Sequence, residues 1–184
     1  MVIVIAEPAS SVSVTVGYNE QKVSEGTASV TYCSKIDDIR DPMATFRQYE
    51  NASIRTEKMS FHASINPAPG ERFDQDKMKE FVKEYMEGMG YGDQPYILYK
   101  HNDIEREHYH IVSVRVDKNG KKINDSFEGR RSAKLLRELA KKYGFTVGKS
   151  NDFRKSDATK TRRFDPTKPN YSGQIESLMK DVMK

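Results

Sequence analysis

Three of the four histidines in this 184-residue chain fall within ten positions, inside the stretch Tyr-Ile-Leu-Tyr-Lys-His101-Asn-Asp-Ile-Glu-Arg-Glu-His108-Tyr-His110-Ile-Val-Ser-Val-Arg-Val-Asp that runs from Tyr96 to Asp117. Strand periodicity gives that spacing its meaning. His108-Tyr109-His110 opens the β-branched run Ile111–Val116, and in an extended strand residues i and i+2 project from the same face. His108 and His110 therefore point together, and Tyr109 points the other way. The run Pro95–His101 reads as a second strand, and the polar link Asn102–Glu107 is short enough to make the two an antiparallel pair. His101 then lies beside His108. Three imidazoles converging from paired strands can hold one divalent cation and leave coordination positions open. The competing reading is a polar rim on an ordinary strand.

The segment resembles the metal motif of HUH endonucleases, named for two histidines around a hydrophobic residue. More closely it resembles plasmid and transposon relaxases, the mobilisation nucleases, particularly those of Bacteroides-type mobile elements. The likeness extends to Gly17-Tyr-Asn-Glu-Gln-Lys-Val-Ser-Glu-Gly26, Phe61-His-Ala-Ser-Ile-Asn-Pro67, Tyr85-Met-Glu-Gly-Met-Gly-Tyr91 and Ser126-Phe-Glu-Gly-Arg-Arg-Ser132. It covers about Met1 to Phe145. It implies an RRM-like antiparallel sheet with the metal histidines on central strands and helices on one face. It also implies a relaxase catalytic domain over residues 1–145, followed by a basic extension over 146–184.

Along the chain, Val2–Ala6 reads as a buried strand ended by Pro8. Ser10-Ser11 can cap a helix to about Gln21, although Val12, Val14 and Val16 alternate as in a strand. The resemblance favours the helix, which Gly26 closes, and Thr27–Cys33 alternates like a strand. Asp37–Arg55 is a helical or irregular excursion opened by Pro42, and Lys58–Asn66 is the next strand. Asp74–Met89 is the clearest helix: Met78, Phe81, Val82, Tyr85, Met86 and Met89 form one apolar stripe, Asp74 is its N-cap, and Gly88–Gly92 end it. After the histidine hairpin come an Asn-Gly turn, a short strand at Lys121–Asn124 and a helix over Arg131–Tyr143. Thr146–Asn170 is polar and aperiodic, and Ile175, Leu178, Met179 and Val182 make a short terminal helix. Strands interspersed with helices imply an α+β fold.

The single cysteine, Cys33, excludes an internal disulfide, and no apolar run approaches the ~20 residues of a membrane span. A bacterial cytoplasmic protein is expected. Net charge is only +4, but Lys118–Lys184 carries 18 Lys and Arg against 8 Asp and Glu, leaving Met1–Asp117 at −6. That asymmetry suits a nucleic-acid partner, or else an ordinary solvated surface.

Cleaving a phosphodiester without water requires a nucleophile that can stay bonded to phosphorus, and tyrosine suits this. Ten tyrosines compete. Spacing leaves the choice open, with Tyr99 a rival because it shares parity with His101. The resemblance implies Tyr18 as the nucleophile, His101, His108 and His110 as ligands of Mg²⁺ or Mn²⁺, and single-stranded origin-of-transfer DNA as substrate, with relaxosome accessory proteins and a coupling protein as partners. His62 reads as an auxiliary or structural histidine, and Asp103 as an acceptor orienting a ligand or part of a solvated turn. Arg106, Arg115, Arg130 and Arg131 are candidates for phosphate contacts. The alternatives are a rolling-circle replication initiator or transposase, or a non-catalytic DNA-binding module with a structural metal.

Overall fold

Nine elements alternate along the chain: β1 (Val2–Ile5), α1 (Val12–Ser24), β2 (Ala28–Ser34), α2 (Pro42–Ala52), β3 (Ser60–Asn66), α3 (Gln75–Met89), β4 (Tyr96–His101), β5 (His108–Val114) and α4 (Glu128–Tyr143). The computed structural model describes residues 1–148 apart from 69, 104 and 105. The strands form one antiparallel sheet in the order β1-β3-β5-β4-β2. The fold is α+β, as expected.

The helices cover both faces of the sheet, which corrects the one-faced arrangement inferred from the resemblance. On one face α3 and α4 pack against Phe61, Ala63 and Ile65 of β3, Leu98 of β4 and Ile111 of β5. On the other, Val12 and Val16 of α1 and Phe46 and Tyr49 of α2 pack against Ile97, Tyr99, Val112 and Val114. The reason lies in the two central strands. Tyr96–Tyr99 and Ile111–Val114 are almost wholly buried at consecutive positions, so both of their faces need cover.

Local chemistry sets the helix ends. Ser11 caps α1, its Oγ accepting from Ser13 N–H at 3.1 Å. Within α1 Val12 and Val16 are buried one turn apart while Val14 is 60% exposed, so the apparent alternation was a helical i, i+4 pair. Pro42 opens α2 behind the Asp41 cap, and Asp74 caps α3, which Gly90 ends in the left-handed conformation. All six apolar residues of the α3 stripe are fully buried, each worth about 1.5–3 kcal/mol over exposure. Where α3 crosses α4, a Cβ on Gly88 would stand 2.6 Å from a terminal methyl of Leu135, which would have to move aside to admit it.

Beyond shifts of one to three residues at the ends of β1, α1, β2 and β3, three departures from the expected elements stand out. Lys121–Asn124 contributes only the isolated bridge Val116↔Lys122, because the Asp117–Gly120 turn is followed by too few paired residues to extend a strand. Helix α4 begins at Glu128, whose carboxylate is buried against Arg115. Thr146–Gly148 is tied down, with Thr146 N–H donating to Glu71 Oε1 at 2.7 Å and Gly148 N–H to Met1 O at 3.1 Å. The aperiodic stretch beyond it and the terminal helix expected around Ile175–Val182 lie outside the described residues.

Candidate metal centre and active site

On the α1/α2 face, each central strand changes from apolar to imidazole side chains towards one end. β4 reads Ile97, Tyr99, His101, and β5 read backwards gives Val114, Val112, His110, His108. His101 pairs directly with His108, and Tyr99 with His110. The ring centroids stand 5.2 Å apart for His101–His108, 4.3 Å for His101–His110 and 5.1 Å for His108–His110. One nitrogen from each of the three lies within 4.8 Å of the others, a set that could hold a metal ion. His62, on neighbouring β3, shares the face, and its Nε2 is 2.7 Å from His110 Nδ1.

The donor set suits a cation in its protonation and its hydrogen bonding. Burial pushes His62 down to about 4, assisted by His101. Burial, with His62, His101 and His108 adding to it, pushes His110 down to about 2. His101 and His108 are also lowered, burial again leading. The imidazoles are neutral near neutral pH, the form that offers a lone pair to a metal. His101 Nε2 is 2.8 Å from Asn19 Oδ1, while its Nδ1 is buried with no hydrogen-bond partner. An orphaned buried acceptor is costly unless something occupies it. His62 engages His110 Nδ1, leaving Nε2 of that ring for a ligand. The residues present therefore fit a divalent ion.

Tyr18 lies beside this cluster. It projects from α1 with its ring stacked on His101 at 6.3 Å between centroids and 27° between planes. At 49% exposure it is, among the described tyrosines, the one classed as exposed. Its rival Tyr99 is fully buried and donates its hydroxyl to Glu20 Oε1 at 2.7 Å. Burial and that carboxylate push the Tyr99 phenol well above the usual range. Tyr109 faces the α3/α4 core, where burial pushes it up to about 12. The features that separate Tyr18 from the others are exposure and proximity, neither of which spacing reveals.

The remaining candidates divide. Asp103 is near the cluster, with Oδ1 3.6 Å from His108 Nε2 and Oδ2 3.5 Å from Lys22 Nζ, one helical turn beyond Tyr18. Arg106 is half-buried beside the site and Arg130 is exposed on α4. Arg131 donates to the carbonyls of Asn124, at 2.7 Å, and Met89. Arg115 is 3% exposed, its guanidinium bonded to Ser60 O at 2.8 Å and to Glu128 Oε2 at 2.6 Å, with Asp125 at 3.3 Å. A guanidinium so enclosed is not presented to a nucleic acid, which corrects its place among the phosphate contacts. Sequence reasoning gave no role to Asn19, Glu20 or Lys22. They stand within the motif around Tyr18, but their partners are distant in sequence.

Residues 18–145 match the family model described as Relaxase: MobA/VirD2-like, nuclease domain. A solved structure described as "Molecular Basis of Vancomycin Resistance Transfer in Staphylococcus aureus" is similar to the chain at 15% identity and a TM-score of 0.48, over 80% of this chain and 96% of that one. No curated protein matches the sequence.

Proposed function

Because the chain belongs to the family of relaxases with a MobA/VirD2-like nuclease domain, we propose that it nicks one strand at the origin of transfer of a mobile element, with Tyr18 as nucleophile. The observation that carries this reading is the stacking of the exposed Tyr18 ring on His101, which brings the phenol to a three-histidine cluster. The Tyr18 oxygen attacks phosphorus, the phenolic proton leaves, and the bond to the 3′ oxygen breaks. The product is a 5′-phosphotyrosyl DNA and a free 3′ hydroxyl, a linkage that a later hydroxyl can reverse.

His101, His108 and His110 would hold a divalent ion, Mg²⁺ or Mn²⁺. When bound, it would offset charge growing on the phosphate oxygens. With His110 Nδ1–H donating to His62 Nε2, 2.7 Å away, the lone pair of His110 would lie on Nε2 and face a ligand, and Asp103 sits where it can accept from or orient His108. The half-exposed position of Tyr18 leaves room for an extended single strand to reach the phenol. Arg106 remains a candidate for a phosphate contact at the site, whereas Arg130 and Arg131 stand on α4, across the sheet from the histidines, and would meet a strand only away from Tyr18. Accessory relaxosome proteins and a coupling protein are the further partners this reading proposes for transfer, beyond the nicking step itself.

Incubating the protein with a labelled origin oligonucleotide and Mn²⁺ should give a slower band on a denaturing gel. Tyr18→Phe, which keeps the ring and its stacking, should bind metal and DNA yet form no such band. Tyr99→Phe should retain it. Loss of the band in another tyrosine variant, with Tyr18→Phe unaffected, would move the nucleophile. Absence of band and nick from the wild type on its own origin DNA would sink the enzymatic reading.

A further inference from the structure

We infer that Asn19 is a positioning residue of the metal centre: its side chain selects the tautomer of His101 that offers Nδ1 to the metal, and it ties that ligand to the helix turn that carries Tyr18. The inference deepens the three-histidine reading above and rests on it.

The direction of the Asn19 amide is fixed by its other partner. Asn19 Nδ2 donates to Thr15 O at 2.8 Å, and a carbonyl can only accept, so Oδ1 is the atom facing His101 Nε2 at 2.8 Å. Oδ1 in turn can only accept, so His101 Nε2 must carry the proton. In a neutral imidazole that leaves the lone pair on Nδ1. Nδ1 is the buried nitrogen without a hydrogen-bond partner, in the ring that lies 5.2 Å and 4.3 Å, centroid to centroid, from His108 and His110. Asn19 is itself fully buried, so water does not compete for either bond. Leucine would fill the same volume, but an apolar residue would leave His101 Nε2–H unpaired and free to exchange its proton with Nδ1.

Asn19 also follows Tyr18 directly. Asn19 to His101 and Glu20 to Tyr99 are two hydrogen bonds from consecutive residues of α1 to alternate residues of β4. The same backbone turn thus holds the exposed phenol and the ligand's orienting group. A shift of α1 that displaces Tyr18 also releases His101.

The test begins on metal-free wild type, where long-range ¹H–¹⁵N spectra of the histidines should show His101 as the Nε2–H tautomer. An Nδ1–H tautomer there would overturn the inference without any variant. Asn19→Leu should lose the single tautomer and weaken Mn²⁺ binding, measured by calorimetry, by about 10–100-fold. Asn19→Asp, which keeps an acceptor at the same place, should restore affinity to within a few-fold. Unchanged tautomer and Mn²⁺ affinity in a folded Asn19→Leu would overturn the inference while leaving Tyr18 chemistry standing. The expected wild-type tautomer and variant affinities, in a protein whose wild type forms no DNA adduct, would support Asn19 and sink the proposed nicking reaction instead. If Asn19→Leu fails to fold, the wild-type tautomer and the Asn19→Asp affinity still decide the matter.

Discussion

At the scale of single residues, the site is built from alternation and from partners that alternation cannot reach. Parity puts His108 and His110 on one face, and the register Tyr99↔His110, His101↔His108 brings His101 to the same face. His62 has the same face on β3, 48 residues before His110, and its 2.7 Å contact follows from strand order, which the local pattern does not contain. Asn19 is farther still, 82 residues from His101. A motif read in one dimension therefore yields ligands before it yields the groups that orient them. The distinction is measurable by calorimetry with Mn²⁺. His108→Ala removes a nitrogen donor and should nearly abolish binding, whereas His62→Ala leaves three donors and removes the partner of His110 Nδ1. The weakening for His62→Ala should be about 10–100-fold. Unchanged affinity would make His62 a structural histidine only.

At the scale of elements, helix stripes and caps were legible and the two-sided cover of the sheet was not. α3 announced itself because six buried residues share one stripe and Asp74 and Gly90 mark its ends. α1 sent a mixed signal because Val12, Val14 and Val16 fit two periods, and only the tertiary packing of Val12 and Val16 on the sheet decides between them. The start of α4 was missed because Glu128 looks like a surface residue in sequence, yet it accepts from Tyr91 Oη at 2.8 Å and pairs with Arg115. That network joins the end of β5 to α4 and makes a prediction about Arg115. Arg115→Leu leaves a buried carboxylate without its cation and should cost about 3–5 kcal/mol in denaturant unfolding. Adding Glu128→Gln, which removes the charge and keeps an acceptor for Tyr91, should recover part of that stability. A stable Arg115→Leu with weakened DNA binding would return Arg115 to the phosphate contacts.

At the scale of the whole molecule, charge is divided unevenly between the described body and the rest of the chain. Residues 149–184 carry nine Lys and Arg against five Asp and Glu, which is the whole of the net +4, so residues 1–148 are neutral in sum. A neutral body has no general attraction for a polyanion and must bind DNA through local cations around the site, such as Arg106 and Lys22. Attraction that depends on net charge must come from residues 149–184. The two contributions have different salt signatures, since each phosphate neutralised on a single strand adds about −0.7 to the slope of log affinity against log salt. Removing residues 149–184 should therefore make the slope for origin DNA shallower by about 0.7 for every phosphate that the segment neutralises, while the adduct band at saturating DNA and Mn²⁺ stays. The measurement is fluorescence anisotropy of a labelled single strand between low and physiological salt. An unchanged slope would assign the phosphate contacts to residues 1–148 and make the basic segment a bystander. Disappearance of the adduct at saturation, with Mn²⁺ affinity intact, would show instead that the segment positions the strand at Tyr18.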